Sequence, residues 1–175
     1  MTVPAPTDPA ASAAPGAPDQ PPSAAASQRG PFIGHYGYMV QAPQGYATQR
    51  QFKDLGNRTE VVYLFLEKTD PTNFMNEGLY GQLGILRLEV SPLRIPQGTI
   101  GLESLRGGIT MTLNSRGDTY ELTETKVGSL PGFVVKITAP FPLVQAFVVG
   151  TKVLYVFTGG VDDPTFRNTL LSLTE

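Results

Sequence analysis

Few side chains in this sequence are of the types that carry catalysis or bind metal ions. Cysteine is absent, which excludes disulfide bonds, thiolate metal ligands and thiol nucleophiles. His35 is the only histidine, and no acid or nucleophile beside it in the sequence completes a catalytic set. We therefore interpret His35 as a surface or edge residue. We predict that the protein is not an enzyme and that it uses no cofactor and no metal.

A glycine-rich segment superficially has the spacing of a phosphate-binding loop. Gly78, Gly81 and Gly84 follow a G-x-x-G-x-x-G pattern, but no lysine followed by serine or threonine comes after them. A phosphate-binding loop also leads into a helix, whose N-terminus supplies N–H donors, whereas a strand is predicted here. We therefore interpret this segment as a flexible loop that enters a strand.

The remaining polar candidates also have structural explanations. Asp162 and Asp163 stand immediately before Pro164 and a predicted helix, so one of them is expected to cap that helix rather than bind a metal. Ser129 and Ser172 lack the sequence context of a nucleophile elbow and have no evident histidine and acid partners. A hydrolase would require one of these serines to pair with His35.

Composition divides the chain into a tail and one domain. Seven of its 16 prolines fall before residue 30, together with many alanines and almost no bulky apolar residue. Such a segment cannot bury enough apolar surface to offset the entropy of ordering its backbone. We predict a disordered Pro/Ala-rich tail or linker at residues 1–29 and a single α+β domain at residues 30–175.

Charge and hydropathy limit the partners and the compartment. The net charge is −2 and the lysines and arginines are scattered, so nucleic-acid binding is not expected. No apolar run approaches the roughly 18–20 residues of a transmembrane helix. We expect membrane association only through a missing anchor or a partner. The visible start lacks signal-peptide features, which indicates the cytoplasm unless a leader was removed. In that case we expect the bacterial cell envelope or periplasm.

Apolar patterns predict several strands and two helices. Segments 146–149 and 153–158 are apolar on both faces, which is typical of central strands, and Gly150 between them suits a type II′ turn. The other strands are predicted at 38–43, 49–53, 59–67, 83–90, 120–126 and 133–138. Apolar residues recur at helical spacing in Leu102, Leu105, Ile109 and Leu113, and in Phe166, Leu170 and Leu173. This order favours helices packed on a mainly antiparallel sheet.

The two ends of the predicted domain follow the pattern of a known superfamily. GYMVQAPQGY (37–46) is an apolar strand followed by proline, glycine and an aromatic residue. GTKVLYVFTGG (150–160) and DPTFRNTLLSL (163–173) are a glycine turn, an apolar strand containing tyrosine, and a short helix. In these segments the chain resembles the PsbP-like superfamily. Its members include the photosystem II PsbP proteins, the Ran-binding Mog-type proteins and the DcrB and LpqN envelope proteins.

The resemblance covers roughly residues 36–175 and implies a fold more than a function. It implies an α/β/α sandwich with a mainly antiparallel central sheet and two principal helices. Tyr46 stands where the superfamily usually has tryptophan, so the first motif departs from the pattern. Because members of the superfamily do different things, the resemblance implies little about activity.

The long loop at 70–82 is the best candidate for a contact surface. It carries large apolar side chains among turn-forming residues, and such groups on a loop can mark an interface. The alternative is that they fold over the sheet edge as a small satellite core. The candidate contact residues are Phe74, Met75, Leu79 and Tyr80 in this loop, with Phe32 and Tyr36 as a weaker group before the first strand.

These observations together favour a protein that acts by binding. Our leading hypothesis is a non-catalytic protein-interaction or assembly module, acting as an accessory subunit of a larger cell-envelope or membrane-associated complex. The partner protein cannot be identified from the sequence. The alternative is a small-ligand-binding protein with a pocket between sheet and helices, and a hydrolase is the third hypothesis.

Overall fold

The computed structural model describes residues 30–53, 58–93 and 99–175. The predicted tail at residues 1–29 lies outside the described residues. The described part is an α+β fold, built on one seven-stranded sheet, a two-stranded hairpin and three α-helices. None of the described helices has the length and apolar character needed to cross a membrane.

The hairpin and the sheet are antiparallel throughout, which confirms the predicted sheet type. The hairpin consists of β1 (Pro31–Ile33) and β2 (Met39–Gln41). The strands of the sheet are β3 (Tyr46–Lys53), β4 (Thr59–Leu66), β5 (Ile85–Pro92), β6 (Thr119–Val127), β7 (Leu130–Ala139), β8 (Leu143–Val149) and β9 (Val153–Gly159). Their spatial order is β3-β4-β5-β9-β8-β7-β6, so β8 and β9 are interior strands, as their apolar sequences predict.

Alternation along the strands divides the core between the two faces of the sheet. In β4, Val62 and Leu64 point to one face, whereas Val61, Tyr63 and Phe65 point to the other. The first face packs against the hairpin and against α3 (Pro164–Leu171). The second face packs against the 70–84 segment near β4 and against α2 (Thr99–Arg116) near β7. Most of β4 is therefore buried on both sides.

Helix α3 begins as the sequence predicts. The side chain of Asp163 accepts a hydrogen bond from the N–H of Thr165 at 2.8 Å, and Pro164 occupies the first turn. Phe166 and Leu170 are buried against the sheet. A Cβ at Gly159 would lie 2.7 Å from the ring of Phe166, so this glycine permits the close approach of helix and strand.

Helix α2 is longer than the predicted 102–113 segment, but its apolar stripe is correct. Leu113 is buried, and Leu102, Leu105 and Ile109 are partly buried against the core of β7 and β8. A Cβ at Gly107 or Gly108 would meet nothing within 4 Å. Because the outer side of α2 is open, it is packing of the apolar stripe that holds two unfavourable glycines in a helix.

The predicted type II′ turn at Gly150 is wrong. That turn needs a positive φ at its first central glycine, and the φ of Gly150 is not in the left-handed region. The glycine is needed for space instead, because a Cβ would overlap the side chain of Glu175. The Glu175 carboxylate accepts hydrogen bonds from the N–H of Thr151 at 3.1 Å and from the hydroxyl of Tyr155 at 3.0 Å.

Candidate functional site

The predicted 70–82 loop is a chain of short helical turns. Two 3-10 turns, Pro71–Met75 and Glu77–Leu79, lead into the single-turn helix α1 (Tyr80–Leu83). The Asp70 carboxylate accepts a hydrogen bond from the N–H of Thr72 at 2.9 Å and so caps the first turn. These local hydrogen bonds give the segment a defined shape.

Two aromatic side chains hold the segment on the sheet. The Phe74 ring stacks on Tyr63 with ring centroids 4.4 Å apart, and it also contacts Phe65 at 4.8 Å. The hydroxyl of Tyr80 donates a hydrogen bond of 2.6 Å to the carbonyl oxygen of Phe74. Phe74 and Tyr80 are both buried, so they form the interior of the segment.

A partly buried arginine ties the same segment to the sheet. Arg87 on β5 forms ion pairs with Glu77 in the second turn and with Glu89 on its own strand. Burial lowers the pKa of Arg87, but the charges of Glu89 and Glu77 outweigh it and raise that pKa overall. The Arg87 guanidinium lies 6.0 Å from the ring centroid of Tyr80. Burial is the main reason that the pKa of Tyr80 rises to about 12.

The glycine pattern of this segment serves packing and chain direction. A Cβ at Gly81 would lie 3.1 Å from the Cα of Gly160, so the two backbones touch at the end of β9. Gly84 ends α1 in the left-handed conformation, with φ of 61°. The segment then enters β5, so the helix N-terminus that a phosphate loop requires does not follow it.

Two apolar side chains at this end of the sheet face solvent. Met75 is 79% exposed and Phe141 is 69% exposed. Phe141 lies in the turn between β7 and β8, and a Cβ at Gly78 would lie 4.0 Å from its Cδ1 atom. Gly78 is three residues from Met75, so the two loops bring these side chains to one end of the molecule. We call Met75 and Phe141 the apolar pair.

The structure divides the predicted contact residues between core and surface. Phe74 and Tyr80 are buried and Leu79 is half-buried, so the satellite-core alternative describes most of this loop. Phe32 belongs to the hairpin and is buried where the hairpin packs on the sheet, so its side chain is not available at the surface. Tyr36 is half-buried and donates a hydrogen bond to the carbonyl oxygen of Arg58 at 2.8 Å. Met75 is the predicted contact residue that is fully available.

Phe141 was not predicted from the sequence as a contact residue. The signal was present, because Pro140 and Pro142 hold an aromatic residue at the tip of a turn. A residue between two prolines has restricted backbone angles and is expected in a turn, and turns lie at the surface.

His35 is placed at the surface beside aromatic rings. Its imidazole packs edge-on against Tyr36 at 5.1 Å and Phe52 at 5.5 Å, measured between ring centroids. Its backbone N–H donates to the buried Glu60 carboxylate, which also forms an ion pair with Arg50 at 2.9 Å. These contacts attach the hairpin to the sheet and assemble no nucleophile with the imidazole.

The serine candidates take structural roles where contacts are described. The hydroxyl of Ser172 donates to the carbonyl oxygen of Thr169 at 2.6 Å and accepts from the N–H of Gln41 at 2.9 Å. Ser129 lies in the turn between β6 and β7. Within the described residues, no group of three or more histidine, aspartate or glutamate side chains is arranged to hold a metal ion.

A groove of about 770 Å³ lies on the first face of the sheet, between α3 and strands β6 and β7. Val134, Val144 and Leu170 contribute apolar surface, and Leu171 of α3 is 52% exposed beside them. Lys136 lines the groove in an ion pair with Asp162 at 2.8 Å. The hairpin and α3 cover the rest of this face, so the groove is where the covering layer ends.

Comparison of the chain with protein-family models, curated protein sequences and solved structures finds no match.

Proposed function

We propose that the protein is a non-catalytic protein-interaction module and that the apolar pair, Met75 and Phe141, is the centre of its contact surface. One observation carries the proposal. Two large apolar side chains from separate loops are held at the same end of the sheet with more than two thirds of each exposed. Methionine and aromatic residues are enriched in the cores of protein interfaces.

The support beneath the pair makes it suitable for binding. Phe74 and Tyr80 anchor the Met75 loop to the core, and the contact of Gly81 with Gly160 holds that loop against β9. A surface that is already ordered loses less conformational entropy when a partner binds. Desolvation of Met75 and Phe141 would supply the apolar contribution to affinity.

We also propose that the domain is an α/β/α sandwich of the PsbP-like type, acting as an accessory subunit of an envelope or membrane-associated complex. The packing of α3 and α2 on opposite faces of the sheet supports the layered arrangement. The motifs at 37–46 and 150–173 support the resemblance. The partner would be a protein with an apolar patch of similar size.

The proposal is tested by comparing the proteins recovered with three forms of the full chain from cells that produce it natively. The double variant Met75→Asp with Phe141→Asp places two charges at positions from which a bound partner should exclude water. We expect quantitative mass spectrometry to show the loss of at least one partner that the wild-type chain recovers.

The control is Met111→Asp on the outer side of α2, where the methionine is 70% exposed. It introduces one carboxylate, against two in the double variant, at a similarly exposed methionine that is not part of the apolar pair. The control should recover the wild-type set of partners. Equal recovery by all three forms would remove the apolar pair from consideration.

The groove beside α3 favours small-ligand binding as a second candidate function. Its volume of about 770 Å³ falls within the range of ligand sites, and it combines apolar and charged side chains. A native mass spectrum of protein purified from its source should then contain a retained small molecule. Loss of that mass in Leu171→Arg would place it in the groove, whereas the bare chain mass would reject this candidate.

A further inference from the structure

Strand β6 forms a free edge of the sheet. It is last in the spatial order and pairs with β7 alone among the described residues. Val127 is its only buried residue. At the opposite edge, by contrast, the first three residues of β3 are buried. The outer N–H and C=O groups of β6 are thus a template on which another strand can pair.

The charges on β6 do not block such pairing. Charged side chains normally protect an edge strand, and β6 carries Glu121, Glu124 and Lys126. Glu124, however, forms an ion pair with Arg106 of α2 at 3.1 Å. Glu121 lies directly opposite Lys136 in the β6–β7 register. Each glutamate therefore faces a positive charge of its own chain.

The residue order of β6 is compatible with pairing to itself. In an antiparallel register centred on Thr123, residues 120–126 pair with the same residues of a second copy and leave out the register irregularity between Thr119 and Tyr120. Tyr120 then lies opposite Lys126, and Leu122 lies opposite Glu124. Glu121 lies opposite Thr125 on the α3 side. No like charges are directly opposed, and the lysine faces an aromatic ring.

Other antiparallel registers that also place side chains of the same sheet face opposite one another are less favourable for pairing. A shift that centres the pairing on Glu124 opposes two glutamates, and one centred on Glu121 does the same. Centring on Leu122 avoids this but pairs fewer residues. The register with the greatest overlap is thus also free of opposed like charges.

We propose that the free edge of β6 binds a second copy of this chain through antiparallel pairing centred on Thr123. The two sheets then continue into one another across a two-fold axis, as in other isologous dimers. The grooves beside α3 in the two copies then lie next to each other on the same face of the joined sheet, over the two β6 strands and the two β7 strands. This surface is separate from the apolar pair and does not rest on the proposed function.

The test is sedimentation velocity on the full chain over a range of concentrations. The wild-type chain should show a concentration-dependent dimer. Thr123→Glu and Thr123→Lys each oppose like charges at the two-fold axis and should weaken the dimer by about tenfold or more. Thr123 is exposed, so neither substitution disturbs the core. An equal mixture of the two variants should restore a mixed dimer, because opposite charges then face each other.

Gln51→Lys is the matched control, since Gln51 is an exposed residue of the other edge strand. It should leave the dimer intact. A wild-type chain that stays monomeric at all concentrations overturns the proposal. A dimer that persists in both Thr123 variants, or that is lost in Gln51→Lys, also overturns it.

Discussion

Two pairs of large side chains at one end of the sheet have opposite environments. Phe74 and Tyr80 are 2% and 0% exposed, whereas Met75 and Phe141 are 79% and 69% exposed. Phe74 and Met75 are neighbours in the same 3-10 turn. Because three residues complete such a turn, successive side chains point about 120° apart. The turn therefore assigns one residue to the core and the next to solvent.

The two pairs also differ in what they contribute to stability. The buried pair removes two aromatic side chains from water and makes a stacked contact, a hydrogen bond and ring contacts. Burial of a large apolar side chain contributes about 1.5–3 kcal/mol. The exposed pair contributes little of this, and the proposed function assigns it to contact with a partner.

Loss of a buried ring should give the largest effect. Tyr80→Ala removes the ring and its hydrogen bond to Phe74 and should lower the free energy of unfolding by about 3–5 kcal/mol. Urea unfolding followed by circular dichroism measures this loss. A change below about 1 kcal/mol would mean that the 70–84 segment is not fixed by its interior.

The contact of the two glycines should give the next largest effect. Gly160→Ala places a methyl group against the backbone of Gly81, which cannot rotate away, and should cost about 1–3 kcal/mol. The control is Gly107→Ala, where the added methyl meets no atom within 4 Å. That change should stabilise α2 by up to about 1 kcal/mol. Equal unfolding midpoints for the two variants would contradict the close contact.

The buried tyrosine should also make stability depend on pH. Burial raises the pKa of Tyr80 from its ordinary 10.0 to about 12, so the folded state keeps this proton longer than the unfolded state. Its contribution is complete below pH 10 and is lost as the pH rises towards 12. At about pH 11 the loss should reach about 1.4 kcal/mol. Burial raises the pKa values of Tyr38 and Tyr155 in the same direction.

Urea unfolding at about pH 9 and pH 11 isolates this contribution when the wild type is compared with Tyr80→Phe. The variant should lose about 1.4 kcal/mol less between the two pH values. At pH 9 the variant should be less stable than the wild type, since the hydrogen bond to Phe74 is lost, and this difference should shrink or disappear at pH 11. If both proteins lost the same free energy of unfolding between the two pH values, the pKa of Tyr80 would be the same in the folded and unfolded states.

The exposed pair should give the smallest effect on stability. Met75→Asp with Phe141→Asp changes two solvent-facing side chains and should alter the free energy of unfolding by about 0.5 kcal/mol or less. Differential scanning calorimetry measures this directly. A loss close to that of Tyr80→Ala would make the pair part of the core and remove the basis of the comparison.

Much of the fold could be predicted from periodic patterns. The unbroken apolar runs of β8 and β9 indicate interior strands, and the stripe ending in Leu113 identifies the buried side of α2. Asp163 is the helix cap that its position before Pro164 predicts. Such patterns are local, so one sequence is enough to read them.

The candidate site could be predicted only in part because it depends on contacts between distant segments. The sequence marks the 70–82 loop as apolar, but the direction of each side chain follows from the 3-10 turns and from stacking on Tyr63. Phe141 joins the site because β7, β8 and the Met75 loop meet at the same end. The wrong prediction of a type II′ turn at Gly150 also comes from a contact between distant segments, because the side chain of Glu175 occupies the space where a Cβ of residue 150 would lie.

Site-specific photo-crosslinking in cells that produce the protein natively tests the central claim most directly. A photoreactive phenylalanine analogue replaces Met75, Phe141 or, as the control, Met111, which is also exposed. The apolar pair should give a covalent adduct with the same partner protein at positions 75 and 141, and the control position should not. Absence of an adduct at both positions, or the same adducts at position 111, would contradict the assignment of this end as the contact surface.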